Sequence, residues 1–173
     1  PSLDNDKPTI SVSSVTVNEA SPFAVFKVSL SNASTQAISF TPSLSNGSAT
    51  ISTDTQNTPS SVALEYFDGT NWVSASGGVT LAAGSTSVLL RTAIKQDSLY
   101  EISEAFTLGT GNVTGLVTNT SGASGTGTIK DDGTGDIFLA TNNTETPNLN
   151  TDPGYPSLDN DKPTISVSSV TVN

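Results

Sequence analysis

The sequence contains no cysteine, no histidine and no methionine. Without thiols the chain forms no disulfide, and its stability does not depend on the redox state of its compartment. Zinc and copper prefer sulfur and imidazole ligands, so sites for these metals are not expected. The missing histidine also removes the most common general base. No nucleophile motif or phosphate-binding loop takes its place, so we do not expect an enzyme.

Basic residues and long apolar runs are also scarce. Six Lys and Arg face sixteen Asp and Glu, which gives a formal net charge of −10. Because the basic residues form no cluster, nucleic acid is excluded as the main partner. No apolar run approaches the roughly twenty residues that span a bilayer, so membrane insertion is not expected. The excess of carboxylates instead suits a divalent counter-ion.

One stretch occurs twice. The segment Pro1–Asn18, PSLDNDKPTISVSSVTVN, returns unchanged as Pro156–Asn173. An identical block at this distance predicts a tandem array with a period of about 155 residues, in which the partners of each repeat are neighbouring repeats of the same chain. A period of this length suits one domain and a connection. The function predicted from this pattern is reach or spacing.

Short alternating stretches separated by turn residues predict an all-β protein, and no convincing helical stripe competes with them. In the stretch 9–17 the alternation changes phase at Ser13-Ser14, which predicts a bulge or a strand that switches sheets. Asp68-Gly69 predicts a hairpin in which these residues supply positive φ angles. The expected fold is a Greek-key, immunoglobulin-like β-sandwich. Strands are predicted over residues 9–17, 23–30, 37–44, 49–54, 62–67, 71–73, 79–81, 85–94, 105–108, 113–117 and 125–130.

The composition divides the chain into three parts. Residues 1–132 form the sandwich, and residues 133–162 form a polar, proline-stiffened linker with only Ile137, Phe138 and Leu139 available for docking. Residues 163–173 repeat the first strand and lack a sheet of their own. We expect this exposed edge either to be poorly ordered or to pair with another chain through residues 164–172.

Carboxylates collect at the predicted strand ends. In a Greek-key sandwich these turns meet at one pole, where unpaired carboxylates repel each other unless a cation binds. Calcium fits best, because it accepts six to eight oxygens in irregular geometry. The alternative is that they are ordinary solvated turn residues. The candidate ligands are Glu19, Asp54, Asp97, Glu101, Glu104, Asp131 and Asp132.

These residues stand in motifs that resemble the Calx-β domain over about Lys7 to Gly133. The motifs are Asn18-Glu19-Ala20, Gly47-Ser48-Ala49-Thr50 leading to Asp54, Asp97-Ser-Leu-Tyr-Glu101-Ile-Ser-Glu104, and Gly127-Thr-Ile-Lys-Asp131-Asp132. The LEYFDGTNWV insert is similar to the variant repeated in giant RTX-type bacterial adhesins secreted by type I systems. The resemblance implies that the seven carboxylates bind Ca²⁺ at one pole. It also implies a secreted protein of the bacterial cell surface that acts in adhesion and biofilm formation.

Two positions depart from the Calx-β pattern. Gln96 stands where the family has the first residue of an acidic pair, and Gly133 ends what is usually an acidic triplet. The resemblance therefore implies fewer bound ions than in the calcium-sensing members.

A second acidic cluster lies in the repeated block, as Asp4 and Asp6 and again as Asp159 and Asp161. On an extended chain, carboxylates two residues apart face the same way and can chelate. Across a junction the second pair could join Asp131, Asp132, Asp136 or Asp152 and fix one domain relative to the next. The alternative is a solvated approach to the strand after Pro163.

Two functions remain. The first is a calcium-binding structural extender repeat of a large bacterial cell-surface adhesin. In it, Ca²⁺ at the domain pole and linker would stiffen the array and project a distal adhesive domain. The second is a ligand-binding module for a glycan or receptor, in which Tyr66, Trp72 and Tyr100 form a stacking platform. Glu101 and Glu104 could imitate a glycosidase pair, but their spacing along a turn near Asp97 suits a cation better.

Overall fold

The computed structural model describes residues 6–51, 55, 64–148 and 158–171. These residues contain ten strands and no helix. The strands are β1 (Ile10–Val12), β2 (Val15–Asn18), β3 (Phe23–Leu30), β4 (Ile38–Asn46), β5 (Leu64–Phe67), β6 (Trp72–Ser74), β7 (Val79–Leu81), β8 (Ser87–Ala93), β9 (Glu104–Thr114) and β10 (Ser124–Lys130). None of the described residues belongs to an apolar helix long enough to cross a bilayer.

The strands form two five-stranded sheets that pack face to face. One sheet has the order β1-β3-β8-β5-β6 and the other β2-β10-β9-β4-β7. Neighbouring strands are antiparallel except β2 and β10, which run parallel. Alternating apolar side chains from both sheets fill the space between them, as expected of a sandwich. The predicted all-β sandwich is therefore confirmed.

The N-terminal segment switches sheets at Ser13-Ser14, as its change of phase predicts. β1 pairs with β3 in one sheet, and β2 pairs with β10 in the other. At the crossing, the side chains of the two serines accept hydrogen bonds that the backbone of a neighbouring strand would otherwise accept. Ser13 Oγ accepts the amide hydrogen of Lys27 at 2.8 Å, and Ser14 Oγ accepts that of Thr126 at 3.0 Å. Backbone groups that lose a strand partner at the switch are thus still satisfied.

Aromatic rings fill the centre of the core. Phe26 of β3 and Phe106 of β9 belong to opposite sheets, and their rings meet edge to face with centroids 5.9 Å apart. Neither side chain is exposed. A Cβ atom at Gly127 would lie 2.4 Å from the Phe106 ring, so only glycine leaves room for it. The close contact shows how tightly the inner faces of the sheets interlock.

Two strand predictions are wrong in detail. The predicted strands 105–108 and 113–117 form one continuous strand, β9, because Gly109 and Gly111 take ladder positions opposite β4 instead of forming a turn. The turn comes later, at Gly115, where φ is +104°. In the β5–β6 hairpin Gly69 has a positive φ, but Asp68 does not. The Asp68 carboxylate instead accepts the amides of Thr70 and Asn71. Most of the predicted strand 49–54 lies outside the described residues.

The first half of the predicted linker packs against the sandwich. We call residues 136–148 the docked segment. Asp136 pairs with Val17 and Phe138 with Phe23, and the Phe138 side chain is only 1% exposed. The amide of Phe138 donates to Ser21 Oγ at 2.9 Å in a buried position. One phenylalanine thus anchors a stretch whose composition is that of a loop.

A buried arginine holds the middle of the docked segment. The guanidinium of Arg91 lies 3.9 Å from the Phe23 ring centre and 4.3 Å from that of Trp72, and it pairs with Glu65 at 2.7 Å. It also donates to the carbonyl of Ala140 at 2.8 Å. These contacts with a carboxylate, a carbonyl and two aromatic ring faces compensate the guanidinium for its loss of hydration. The route of the chain away from the sandwich is therefore fixed.

The repeated stretch at the end of the chain divides into two parts. Residues 158–161 contact the sandwich, as described below. In residues 162–171 no strand is formed, and the side chains of Ile165, Val167 and Val170 are 97%, 92% and 81% exposed. The same side-chain types are covered at the identical positions of the first copy, where Ile10 is 1% exposed.

Candidate metal centre

Three chain segments meet at one end of the sandwich. Parallel β2 and β10 both end there, and the connection from β8 to β9 passes from one sheet to the other at the same end. Because the carboxylates follow or precede these strands, the fold gathers them into a single hollow. We call this end the acidic pole. Its acidic lining residues are Glu19, Asp97, Glu101, Glu104 and Asp131.

Backbone amides orient two of these carboxylates. The amide of Asp97 donates to Glu19 Oε1 at 3.0 Å, and the amide of Glu101 donates to Asp131 Oδ2 at 3.0 Å. Glu19 and Asp131 are only 4% exposed. Each strand-end carboxylate is thus held by the β8–β9 connection. This arrangement leaves Glu19 Oε2 buried without a hydrogen-bond partner among the described residues.

The second copy of the repeated block reaches the same pole. The carbonyl of Asp159 accepts the amide of Gly133 at 2.8 Å, and its carboxylate accepts the Gln96 side chain at 2.8 Å. The amide of Asp161 donates to Asp131 Oδ1 at 3.0 Å. One carboxylate oxygen from each of Glu19, Asp131 and Asp159 lies within 4.8 Å of the others. A residue from the second copy of the repeated block therefore joins two residues of the first domain in one cluster.

Asn18 is the residue that sequence reasoning missed. Its side chain accepts the Asp159 amide at 3.0 Å and donates to the Asp159 carbonyl at 3.1 Å, so it acts as a short strand partner. The same amide also donates to Thr134 and accepts the Ala20 amide. Asn18 is completely buried. A buried asparagine at the end of a strand was the available signal, because asparagine is depleted in strands.

The electrostatics of the pole are unfavourable for anions alone. Burial raises the pKa of Glu19 to about 7, and the charges of Asp131, Asp97 and Asp159 add to this effect against the lowering influence of the Asp97 amide. Burial also raises the pKa of Asp161, with further contributions from Asp159, Asp131 and Asp97. The cluster therefore favours either bound protons or a bound cation.

Two buried oxygens point to a cation. Within the described part of the chain, Glu19 Oε2 and Asp161 Oδ2 are buried and have no hydrogen-bond partner. Leaving a buried carboxylate oxygen unsatisfied is costly. The hollow has a volume of about 10 Å³, which is room for one water-sized particle. The donor atoms that Glu19, Asp131 and Asp159 offer are all oxygens, so the site fits Ca²⁺ better than a nitrogen- or sulfur-preferring metal.

One basic residue also lines the hollow, which the sequence reasoning did not foresee. Lys95 lies among the lining residues. The ion pairs Arg91–Glu65 and Lys27–Glu145 lie elsewhere. A single exposed lysine against this number of carboxylates leaves the pole strongly negative.

Three candidate ligands lie outside this hollow, and three more fall outside the described residues. Asp132 is exposed, and its carboxylate accepts both the amide and the hydroxyl of Thr134. Asp136 pairs through its backbone with the end of β2, and burial raises its pKa. Asp6 lies at the opposite pole. The predicted ligands Asp54 and Asp4, like Asp152, fall outside the described residues.

Trp72, one residue of the stacking platform that the alternative function requires, is engaged by its neighbours. The Arg91 guanidinium covers one face of the Trp72 ring, and Phe67 packs against the indole with ring centres 5.5 Å apart. The indole N–H donates to the carbonyl of Asn142 at 2.8 Å. Trp72 thus serves the docked segment. Tyr66 packs against the core beside it.

Comparisons with known proteins support the fold assignment. No family model and no curated protein sequence matches the chain. Among solved structures, CBD12 from CALX1.2 matches with a TM-score of 0.53 and 16% identity, over 72% of this chain and 44% of that one. The apo-form Calx CBD1 domain matches with a TM-score of 0.51 and 17% identity, over 72% of this chain and 98% of that one.

A third solved structure is described as the calcium binding domain CBD12 of CALX1.1. It matches with a TM-score of 0.51 and 17% identity, over 77% of this chain and 48% of that one. The chain therefore spans less than half of the two CBD12 chains but corresponds to nearly all of CBD1. At this identity the likeness establishes the fold, which is the predicted immunoglobulin-like β-sandwich of the Calx-β type.

Proposed function

We propose that this chain is a calcium-binding structural repeat in which Ca²⁺ joins each domain to the segment that leads into the next. The observation that carries the proposal is the position of Asp159. This residue belongs to the second copy of the repeated block, yet its carboxylate lies within 4.8 Å of those of Glu19 and Asp131 in the first domain. A cation held by these three residues belongs to two consecutive repeats.

The residues that would hold Ca²⁺ are those with oxygens directed into the acidic pole. Glu19 and Asp131 provide buried carboxylates at the strand ends, and Asp159 and Asp161 provide carboxylates from the following repeat. A dication offsets the repulsion that otherwise raises the pKa of Glu19. Without it, the hydrogen bonds from Asn18, Gln96 and Gly133 hold residues 158–161 against the repulsion between their carboxylates and those of the pole. Calcium would therefore set the stiffness of the junction.

The wider role that we propose is that of an extender in a large bacterial surface adhesin. The exact repetition of Pro1–Asn18 supports a tandem array, and the LEYFDGTNWV and GTGTIKDDGTG stretches resemble the repeats of such proteins. An array of calcium-tied sandwiches would project a distal adhesive domain from the cell surface. A similar fold in CALX1.1 is described as a calcium binding domain.

Calorimetric titration tests the site itself. The wild-type chain should bind Ca²⁺ at neutral pH, whereas Asp131→Asn and Asp159→Asn should each weaken binding by at least tenfold, because both remove a charged ligand. Asp68→Asn is the matched control, since Asp68 lies in the exposed β5–β6 turn and an asparagine can keep its turn contacts. No heat of Ca²⁺ binding to the wild type, or equal loss in the control, would refute the site.

Small-angle scattering tests the extender role. A protein of several tandem copies of residues 1–155 should have a larger maximum dimension with Ca²⁺ than with a chelator. The same comparison with Asp159→Asn in every copy should show a smaller difference. If the wild-type maximum dimension is unchanged by chelator, calcium does not stiffen the array.

A further inference from the structure

Because the repeated block occurs at both ends of the sequence, one chain contains both sides of a repeat junction. Residues 158–161 show how the block leaves one domain, and residues 6–8 show how the same sequence enters the next. Asp161 and Asp6 are equivalent positions, as are Lys162 and Lys7, and Pro163 and Pro8. Taken together, the contacts of the two copies define the junction. Residues 149–157 are not needed for this.

On the first side, residue Asp161 is fastened to the acidic pole. Its amide donates to Asp131 at 3.0 Å, and one of its carboxylate oxygens is buried. Asp159, two residues earlier, is held by Asn18 and Gln96. The chain is therefore bound to the first domain as far as Asp161.

On the second side, the equivalent residues are fastened to the opposite pole. The carbonyl of Asp6 accepts a hydrogen bond from the Asn32 side chain. The carbonyl of Lys7 accepts the Thr118 hydroxyl at 3.0 Å, and that of Pro8 accepts the Thr118 amide at 2.8 Å. Pro8 is buried. The chain is therefore bound to the second domain from the same aspartate onward.

In an array that keeps both sets of contacts, no residue is left over as a free linker. The position represented by Asp161 and Asp6 contacts one domain through its amide and the other through its carbonyl. Two residues of extended chain, from position 161 to 163, span at most about 7 Å. That distance is shorter than two side chains placed end to end, one from each domain. The surfaces of the two domains therefore meet.

Exposed apolar side chains lie on both surfaces that would meet. At the acidic pole, Leu99 is 67% exposed and Ile102 is 77% exposed, both in the connection that also carries Asp97. At the opposite pole, Leu116 is 43% exposed and lines an open groove together with Ala33 and residues 6–8. Each apolar pair lies beside the residues that form the junction. Large apolar side chains exposed beside a binding segment are typical of an interface.

We propose that Leu99 and Ile102 of one repeat pack into the groove of Ala33 and Leu116 on the next repeat, forming a direct interface between consecutive domains. The proposal rests on the role of the chain as one repeat of an array. The partner of this surface is a second copy of the same domain. The contact is apolar and contains no calcium ligand, so calcium and the interface stabilise the junction by separate means. Removing calcium loosens the junction, and the contact then forms less often.

Disulfide trapping tests the interface, and the absence of native cysteine makes the chain well suited to it. The protein is two tandem copies of residues 1–155, with Leu99→Cys or Ile102→Cys in the first copy and Ala33→Cys or Leu116→Cys in the second. A disulfide requires Cβ atoms about 3.5–4.5 Å apart. The control replaces the first-copy cysteine by Leu139→Cys, which is exposed to a degree similar to Leu116 but lies on the docked segment.

With Ca²⁺ present, at least one of the four pairs should cross-link at least tenfold faster than the control, and this rate should fall in chelator. Four pairs that cross-link no faster than the control would overturn the interface, even if calorimetry shows Ca²⁺ binding. Fast cross-linking in a protein that binds no Ca²⁺ would support the interface while refuting the proposed calcium site. Cross-linking that is equally fast with Ca²⁺ and with chelator would support the interface but contradict the proposed control of junction stiffness by calcium.

Discussion

Replacing Glu19 by glutamine should change the stability of the protein in opposite directions with and without calcium. In chelator at pH 8 the ionised Glu19 faces three other carboxylates in a buried position, so Glu19→Gln should stabilise the fold. The glutamine keeps an oxygen to accept the Asp97 amide and gains an N–H that can donate to Asp131 or Asp159. With Ca²⁺ present the same variant loses a charged ligand and should be less stable than the wild type.

The pKa of Glu19 provides the magnitude. Its rise from 4.5 to about 7, at 1.36 kcal/mol per unit, sets a ceiling of roughly 3 kcal/mol for the cost of ionisation. Screening by nearby water reduces this to about 1–2 kcal/mol. The folded state binds the proton more tightly than the unfolded state. Metal-free wild type should therefore lose this stability as pH rises from about 4.5 to about 7 and remain level above that.

Urea denaturation at pH 5 and pH 8 in chelator measures both effects. Glu19→Gln should exceed the wild type by about 1–2 kcal/mol at pH 8 and by much less at pH 5, where the wild-type side chain is largely protonated. The control Asp68→Asn should show no such pH-dependent gain. A Glu19→Gln variant that is equal to or less stable than the wild type at pH 8 in chelator would refute the electrostatic account of the pole.

Three further changes test the structure around the site. Asn18→Ala should cost about 2–3 kcal/mol because it leaves buried backbone groups unpaired, and it should speed hydrogen exchange at the Asp159 amide; unchanged exchange would contradict the clamp. Phe138→Ala should cost about 3–4 kcal/mol in urea denaturation and release the docked segment to rapid exchange. Gly127→Ala should cost about 1–3 kcal/mol by overpacking, whereas Gly77→Ala, with open space around it, should not; equal costs would contradict the packing.

The strand pattern and the acidic pole could be predicted because each has a local signal. The apolar alternation changes phase at Ser13-Ser14 because the residues before and after this point belong to different sheets. The structure shows the switch there. Likewise, strand-end carboxylates meet wherever the strands of a sandwich end together. Glu19, Glu101 and Asp131 follow this rule and line the same hollow.

The docked segment and the asparagine clamp could not be predicted in the same way. Asparagine, threonine and proline give the docked segment the composition of a loop whether it packs or not, and the burial of Phe138 depends on tertiary contacts with Phe23. Asn18 owes its role to a residue 141 positions away. Gly109 and Gly111 suggested a turn because glycine is weak in strands, but pairing on both sides keeps β9 extended.

The parallel pairing of β2 with β10 determines how an array would respond to tension. The chain enters each sandwich at one end and leaves the β10 strand at the other, so a pull along the array draws these two strands past each other in opposite directions. Their evenly spaced hydrogen bonds then carry the force together and must break together, instead of opening one after another. A fold loaded in this way resists stretching by the shear of paired strands, as the proposed extender role requires.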